Sequence, residues 1–130
     1  AVRGRFLFVL DEPLAKLESY AADHPDLRGR VMFGNFPETH PAAAFLVIND
    51  PLAEGDRIRA AVAAGFLVRT RADADTQEAR SGSVMRRDAA FASGAHFVST
   101  DYYIEDPRFS TGYRVALPGG GVARCNPVRM

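Results

Sequence analysis

The stretch "FLVRTRADAD", residues 66–75, decides the fold. It opens apolar on Phe66, Leu67 and Val68, then places two arginines and two aspartates at two-residue spacing. Successive side chains of a strand point to opposite faces. Leu67, Arg69, Arg71 and Asp73 therefore share one face, and Phe66, Val68, Thr70 and Ala72 the other. Such a strand has a core on one side and a polar environment at its C-terminal end on the other.

Working outward, apolar runs of strand length alternate with helical patterns. "RFLFVL" (5–10) reads as a strand ending at Asp11. "DEPLAKLESYAADH" follows as a helix, with Asp11 or Glu12 as cap, Pro13 in the first turn, and Leu14, Leu17 and Ala21 on one face. "GRVMFGNF" (29–36) and "AAAFLVIND" (42–50) are further strands. "PLAEGDRIRAAVAAG" reads as a helix with Pro51 near its start and Gly65 past its end. After the strand at 66–73 come the helix "SGSVMRRDAAFASG" (81–94), closed by Gly94, and a last strand "AHFVSTDYY" (95–103). The order β-α-β-β-α-β-α-β predicts a mostly parallel α/β fold, because parallel strands need long crossovers that helices normally supply. "NFPETHPAA" (35–43) is too short and proline-rich for a helix, so an extended or single-turn crossover is expected there. "YRVALPGGGVARCN" (113–126) reads as a hairpin turning at Pro118–Gly121.

The 130 residues suffice for one domain of ordinary size, 47% apolar and 25% charged. Sixteen basic and sixteen acidic residues cancel, which leaves no overall electrostatic case for nucleic acid or an anionic membrane. Lys16 is the only lysine, so the cations are arginines, the better residues for gripping carboxylate or phosphate bidentately. No run reaches the roughly 18 apolar residues of a membrane span. "AVRGRFLFVLDE" reads as a strand entered from upstream chain, not as a signal peptide. Cys125 is the sole cysteine: a free thiol, an intermolecular bridge, or half of a disulfide whose partner lies outside this segment.

The C-terminal ends of the strands share a pattern: "FVLDE", "VINDP", "VRTRADAD" and "VSTDYY" each begin apolar and finish in Asp, Asn, Arg or Thr. Parallel α/β folds place their ligands at the carboxyl ends of the strands. Alternation nominates Asp11, Asn49 or Asp50, the Arg69/Arg71/Asp73 set, and Ser99 with Asp101 as a ring of mixed charge at one mouth. Strands also end polar simply because chain meets water there, and Arg71 with Asp73 or Asp101 fits a structural ion pair equally well.

"LVRTRADADTQEAR" (67–80), "RRDAAFASGAHFVSTDYY" (86–103) and "YRVALPGGGVARCNPV" (113–128) resemble the C-terminal part of the calcium-dependent phosphoinositide-specific phospholipase C family. "GAHFVSTDYY" also resembles the last barrel strand of glycerophosphodiester phosphodiesterases. The resemblance covers nearly all of the chain. It implies about five strands of a TIM (β/α)8 barrel, with residues 1–107 as barrel and 108–130 as a hairpin tail of the same domain. It further implies a calcium cofactor and a phosphoinositide substrate. In that family the inositol 2-hydroxyl attacks phosphorus and frees diacylglycerol, with two histidines as general base and acid. Those histidines, and the early Glu/Asp metal ligands, belong to the first barrel strands, which this chain does not include. The missing N-terminal part of the barrel is thus an implied partner, and the chain alone should be inactive. A secreted protein is also implied, in which Cys125 bonds the upstream part.

On this reading Arg69 and Arg71 hold phosphate or orient a catalytic carboxylate, since a preorganised guanidinium stabilises the charge that develops at phosphorus. Asp11 and Asp73, with Asp101, offer the oxygens that calcium takes, or orient a histidine from the absent part. Asp101 and Tyr102 would line the substrate; Tyr102 and Tyr103 either form a rim or pack under the tail. None of the three histidines has metal-ligand spacing to another. His24 ends a helix, His96 lies at the far end of its strand from the mouth, and His40 is the one able to reach it. Gly119–Gly121 precedes no helix and so reads as a turn, not a phosphate loop. Two alternatives differ in class: a non-catalytic barrel binding a sugar phosphate or a partner, and a self-sufficient small α/β domain left with an open sheet edge.

Overall fold

The computed structural model of the chain describes residues 6–129, so Arg5, at the expected start of the first strand, and Met130 lie outside the described residues. Two compact units divide between Val47 and Ile48. The architecture is α/β, with strands in two small parallel sheets.

In the first unit β1 (Val9–Leu10) runs parallel to β2 (Phe33–Gly34), with Val9 opposite Phe33 and Leu10 opposite Gly34. The crossover contains α1 (Leu14–Ala21), which buries Leu17 and Ala21 against Phe36 and Ala42. Asp11 and Glu12 do not cap this helix. Pro13 stands at the cap position without a side-chain bond, Glu12 instead pairs with Lys16 at 2.7 Å, and the Asp11 carboxylate accepts from Asn35 Nδ2 at 2.9 Å. The strand expected over 29–36 shortens to two residues. The chain before it winds through successive turns, the amides of His24, Leu27 and Arg30 each bonding the carbonyl three residues back. Residues 37–43 make two such turns in place of a helix, as anticipated, and β3 (Phe45–Val47) follows.

The second unit begins with Ile48, whose amide bonds the Arg69 carbonyl at 3.0 Å. Pro51 does not start the next helix. Asp50 Oδ1 accepts the amides of Leu52 and Ala53 in a turn, and α2 runs Gly55–Ala64. Gly65 closes α2 as expected, in the left-handed region at φ 102° that a side chain would strain. Then come β4 (Leu67–Arg71), α3 (Gln77–Ser81), α4 (Met85–Ala92) and β5 (Phe97–Ser99). The short α3 was not anticipated. β5 lies parallel to β4, with Arg69 opposite Phe97 and Arg71 opposite Ser99. Helices α2 and α4 pack on β4 and on each other, and Ile58, Val62, Val68, Ala72 and Ala90 are buried there. Removing such side chains from water at about 25 cal/mol per Å² of apolar surface is the principal stabilisation of a unit this small.

The expected C-terminal hairpin does not form. Residues 113–126 hold no strand, only a single 3-10 turn at Pro118–Gly120. In place of a hairpin ladder, the tail bonds the body. Val115 N donates to Tyr102 O, Tyr113 Oη to Ala72 O, Arg124 to Phe91 O, and Asn126 Nδ2 to Gly94 O. Tyr113, Tyr102 and Ala79 form a buried cluster with Phe109 and Val115, so the tail is a strap fastened by an aromatic anchor.

Candidate functional site

The alternation read from "FLVRTRADAD" holds through β4. Val68, Thr70 and Ala72 are wholly buried, while Arg69 and Arg71 between them reach solvent. Arg69 Nη1 donates to Asn49 Oδ1 at 2.6 Å, which turns its guanidinium toward the loop after β3. Arg71 Nη2 stands 3.9 Å from Asp101 Oδ2, and both side chains are substantially exposed. A pair this long and this wet contributes little to stability and leaves the guanidinium's donors available to an incoming anion.

Asp73 departs from the alternation, because β4 has already ended at Arg71. It is 1% exposed. Its carboxylate accepts from the Thr100 hydroxyl, and from the Asp101 amide at 3.0 Å, and so ties the end of β4 to the end of β5. Ser99 Oγ adds a bond to Thr70 O at 3.2 Å. The structure thus brings Arg69, Arg71, Asp73, Ser99 and Asp101 to the C-terminal ends of two adjacent strands. Asn49 and Asp50 join them in the same unit, whereas Asp11 belongs to the first unit, bonded to Asn35.

Tyr102 follows the packing alternative. Its ring is buried edge-on to Tyr113 at 5.7 Å and Phe109 at 6.3 Å, while Tyr103 is exposed. Burial, followed by the nearby charges of Asp73 and Glu78, pushes the Tyr113 phenol up to about 12.

Sequence reading missed Arg86 and Glu78. Arg86, on α4, holds Glu78 Oε1 at 3.1 Å through Nε and Asp50 Oδ1 at 3.2 Å through Nη1. Glu78, on α3, uses its other oxygen to accept the Ala74 amide at 2.9 Å. Both side chains are largely buried. A hint lay in a glutamate among the turn residues after "RADAD", but its partner sits on a separate helix that spacing cannot connect.

The histidines have other duties. His40 stacks on Phe36 with ring centroids 4.2 Å apart, accepts the Ala42 amide at Nδ1, and points Nε2 at Glu18, 3.5 Å away. His24 Nδ1 bonds Arg28 O at 2.7 Å. His96 lies just before β5, with Nδ1 3.3 Å from Val68 N. Burial and then the Arg129 charge lower its pKa, which suits an acceptor nitrogen. Beside it, β5 and the tail border an open pocket of about 390 Å³ lined by Phe91, Val98, Thr100, Leu117 and Cys125. Cys125 is an exposed free thiol.

Calcium takes six to eight oxygen ligands. Among the described residues no three His, Cys, Asp or Glu side chains converge as a metal set, and both Asp73 oxygens already accept hydrogen bonds. The residues present do not complete a calcium site by themselves. Among the described residues no helix is long and apolar enough to cross a membrane.

The family model for Ca2+-dependent phosphoinositide phospholipase C matches residues 1–127. Comparison with curated proteins and with solved structures gave no match. With a family match over nearly its whole length, the chain belongs to the Ca2+-dependent phosphoinositide phospholipase C family.

Proposed function

We propose that this chain is the C-terminal part of a TIM-barrel phosphodiesterase that cleaves the phosphodiester of inositol phospholipids, and that it supplies phosphate recognition. The observation carrying this reading is the pair of guanidiniums on one face of β4, Arg69 held by Asn49 and Arg71 only loosely paired with Asp101. Two cations at a strand's carboxyl end, one held in place and one open to an incoming group, suit a reacting group whose negative charge grows in the transition state.

General acid–base chemistry needs a titrating group within hydrogen-bond reach of the substrate. His24, His40 and His96 are each engaged by their own surroundings. On the family's chemistry, the catalytic histidines and the oxygen ligands of any calcium site come from upstream polypeptide. The same polypeptide would pair with the strands of this chain to close the barrel. Exposure of Cys125 suits a secreted protein in which that thiol bonds the upstream part.

The test is release of inositol phosphate from phosphatidylinositol vesicles, with calcium and with chelator, by the 130-residue chain and by a longer polypeptide carrying the upstream strands. Calcium-dependent release by the longer form alone supports the proposal. A longer form that binds inositol phosphate without turnover moves the protein to a non-catalytic binder. Preferential release from glycerophosphodiesters moves it to that related class of hydrolase.

A further inference from the structure

We infer that Arg86 is a positioning residue for the phosphate-binding face, acting through Asn49 on Arg69. The inference rests on the reading of Arg69 and Arg71 as the phosphate grip. Arg86 ties one loop directly and a second through Glu78 of α3. Nη1 reaches Asp50 Oδ1 at 3.2 Å and the Asn49 carbonyl at 3.5 Å, and Nε reaches Glu78 Oε1 at 3.1 Å. The first loop carries Asn49, whose Oδ1 accepts Arg69 Nη1 at 2.6 Å. The second runs from Ala74, whose amide Glu78 holds at 2.9 Å, and directly follows Asp73. The loops flanking the arginine pair thus close on one cation.

The chemistry is specific to arginine. One planar guanidinium has five donors and can serve two carboxylates and a carbonyl at once; an ammonium is a point charge that cannot span them. The Arg86 side chain is 16% exposed and that of Glu78 9%, whereas Asp50 is 47% exposed. Partial burial keeps the Arg86–Glu78 interaction strong and its geometry fixed, unlike the surface pairs elsewhere on the chain. An asparagine that orients another side chain must itself be held, and Arg86 holds the backbone on which Asn49 sits. A displacement of about 1 Å at a positioned group costs up to roughly a hundredfold in a reacting system, so a fixed loop has functional consequence.

The experiment titrates myo-inositol 1-phosphate into the 130-residue chain and follows the arginine Nε–H signals by nitrogen-15 NMR. Arg86→Lys, Asn49→Ala, their double variant and Arg69→Gln are compared, with Glu78→Gln as a second disturbance of the same fork should Arg86→Lys fail to fold. Arg69→Gln should weaken binding about tenfold or more, as loss of a charge-assisted bond does. Arg86→Lys, or Glu78→Gln in its place, and Asn49→Ala should each weaken it roughly fivefold and shift the Arg69 Nε–H signal, with the double variant no worse than either single. Normal binding by Arg86→Lys or Glu78→Gln beside a weakened Arg69→Gln overturns the positioning role alone, and additive losses in the double variant do the same. Unchanged binding by Arg69→Gln overturns the phosphate grip, and the positioning role with it.

Discussion

The two units use their polar residues in opposite ways. In the first, Asp11, Asn35, His24 and His40 hold backbone and neighbouring side chains: Asn35 bridges the Asp11 carboxylate and the Val47 amide, and His40 stacks on Phe36. In the second, polar groups gather at the ends of β4 and β5, where a buried layer of Asp73, Glu78 and Arg86 underlies the more exposed Arg69, Arg71 and Asp101. A polar residue at a strand end is therefore no sign of a site by itself. What distinguishes the second unit is a fixed inner layer beside an outer arginine, Arg71, whose donors are little used by the protein itself.

Phe36 is 1% exposed and carries both the core of the first unit and the His40 stack. Phe36→Ala should cost about 4 kcal/mol in urea unfolding, because it leaves a cavity in a small core. A cost under about 1 kcal/mol would mean that this core packs loosely and that the contrast with the second unit is overstated. Next is Asp73→Ala, which strands the Thr100 hydroxyl and the Asp101 amide. It should cost about 3 kcal/mol and loosen the end of β5, seen as faster amide exchange at Asp101.

The smallest effect sharpens the account of the strap. Tyr113→Phe removes the bond to Ala72 O and should cost about 1 kcal/mol. Its pH signature is more telling. The folded chain holds the phenol up to about 12, above its ordinary value of 10.0, so this contribution is complete below pH 10. It is lost as pH rises through the folded value. Stability measured between those limits should fall in the wild type, and Tyr113→Phe should remove that part of the fall.

The parallel α/β order and the two faces of β4 were legible because period-two alternation needs only neighbouring residues. Gly65 and Gly94 were legible as stops for the same local reason, and both take positive φ. The strands are shorter than the pattern predicts, since residues 29–32 ahead of Phe33 run through turns and bends that sequence patterning does not distinguish from extended chain. The hairpin was misread for a related reason. Gly119 and Gly120 do turn the chain, at φ 80° and 73°, but the partners of the flanking residues come from α4 and from loops that follow β4 and flank β5. Asp73 was assigned to the arginine face by counting past the point where β4 ends. Arg86 and Glu78 lie eight residues apart on two helices, and only the tertiary fold joins them.

A phosphate grip formed by Arg69 and Arg71 is tested by the binding of myo-inositol 1-phosphate to the wild type and to the Arg69→Gln/Arg71→Gln double variant, alongside myo-inositol. The account predicts that the wild type binds the phosphate in preference to the free sugar. It also predicts that the double variant loses that preference, with affinity for the phosphate falling on the order of a hundredfold. Equal binding of the phosphate by both proteins would contradict it and return the arginines of "FLVRTRADAD" to a structural role.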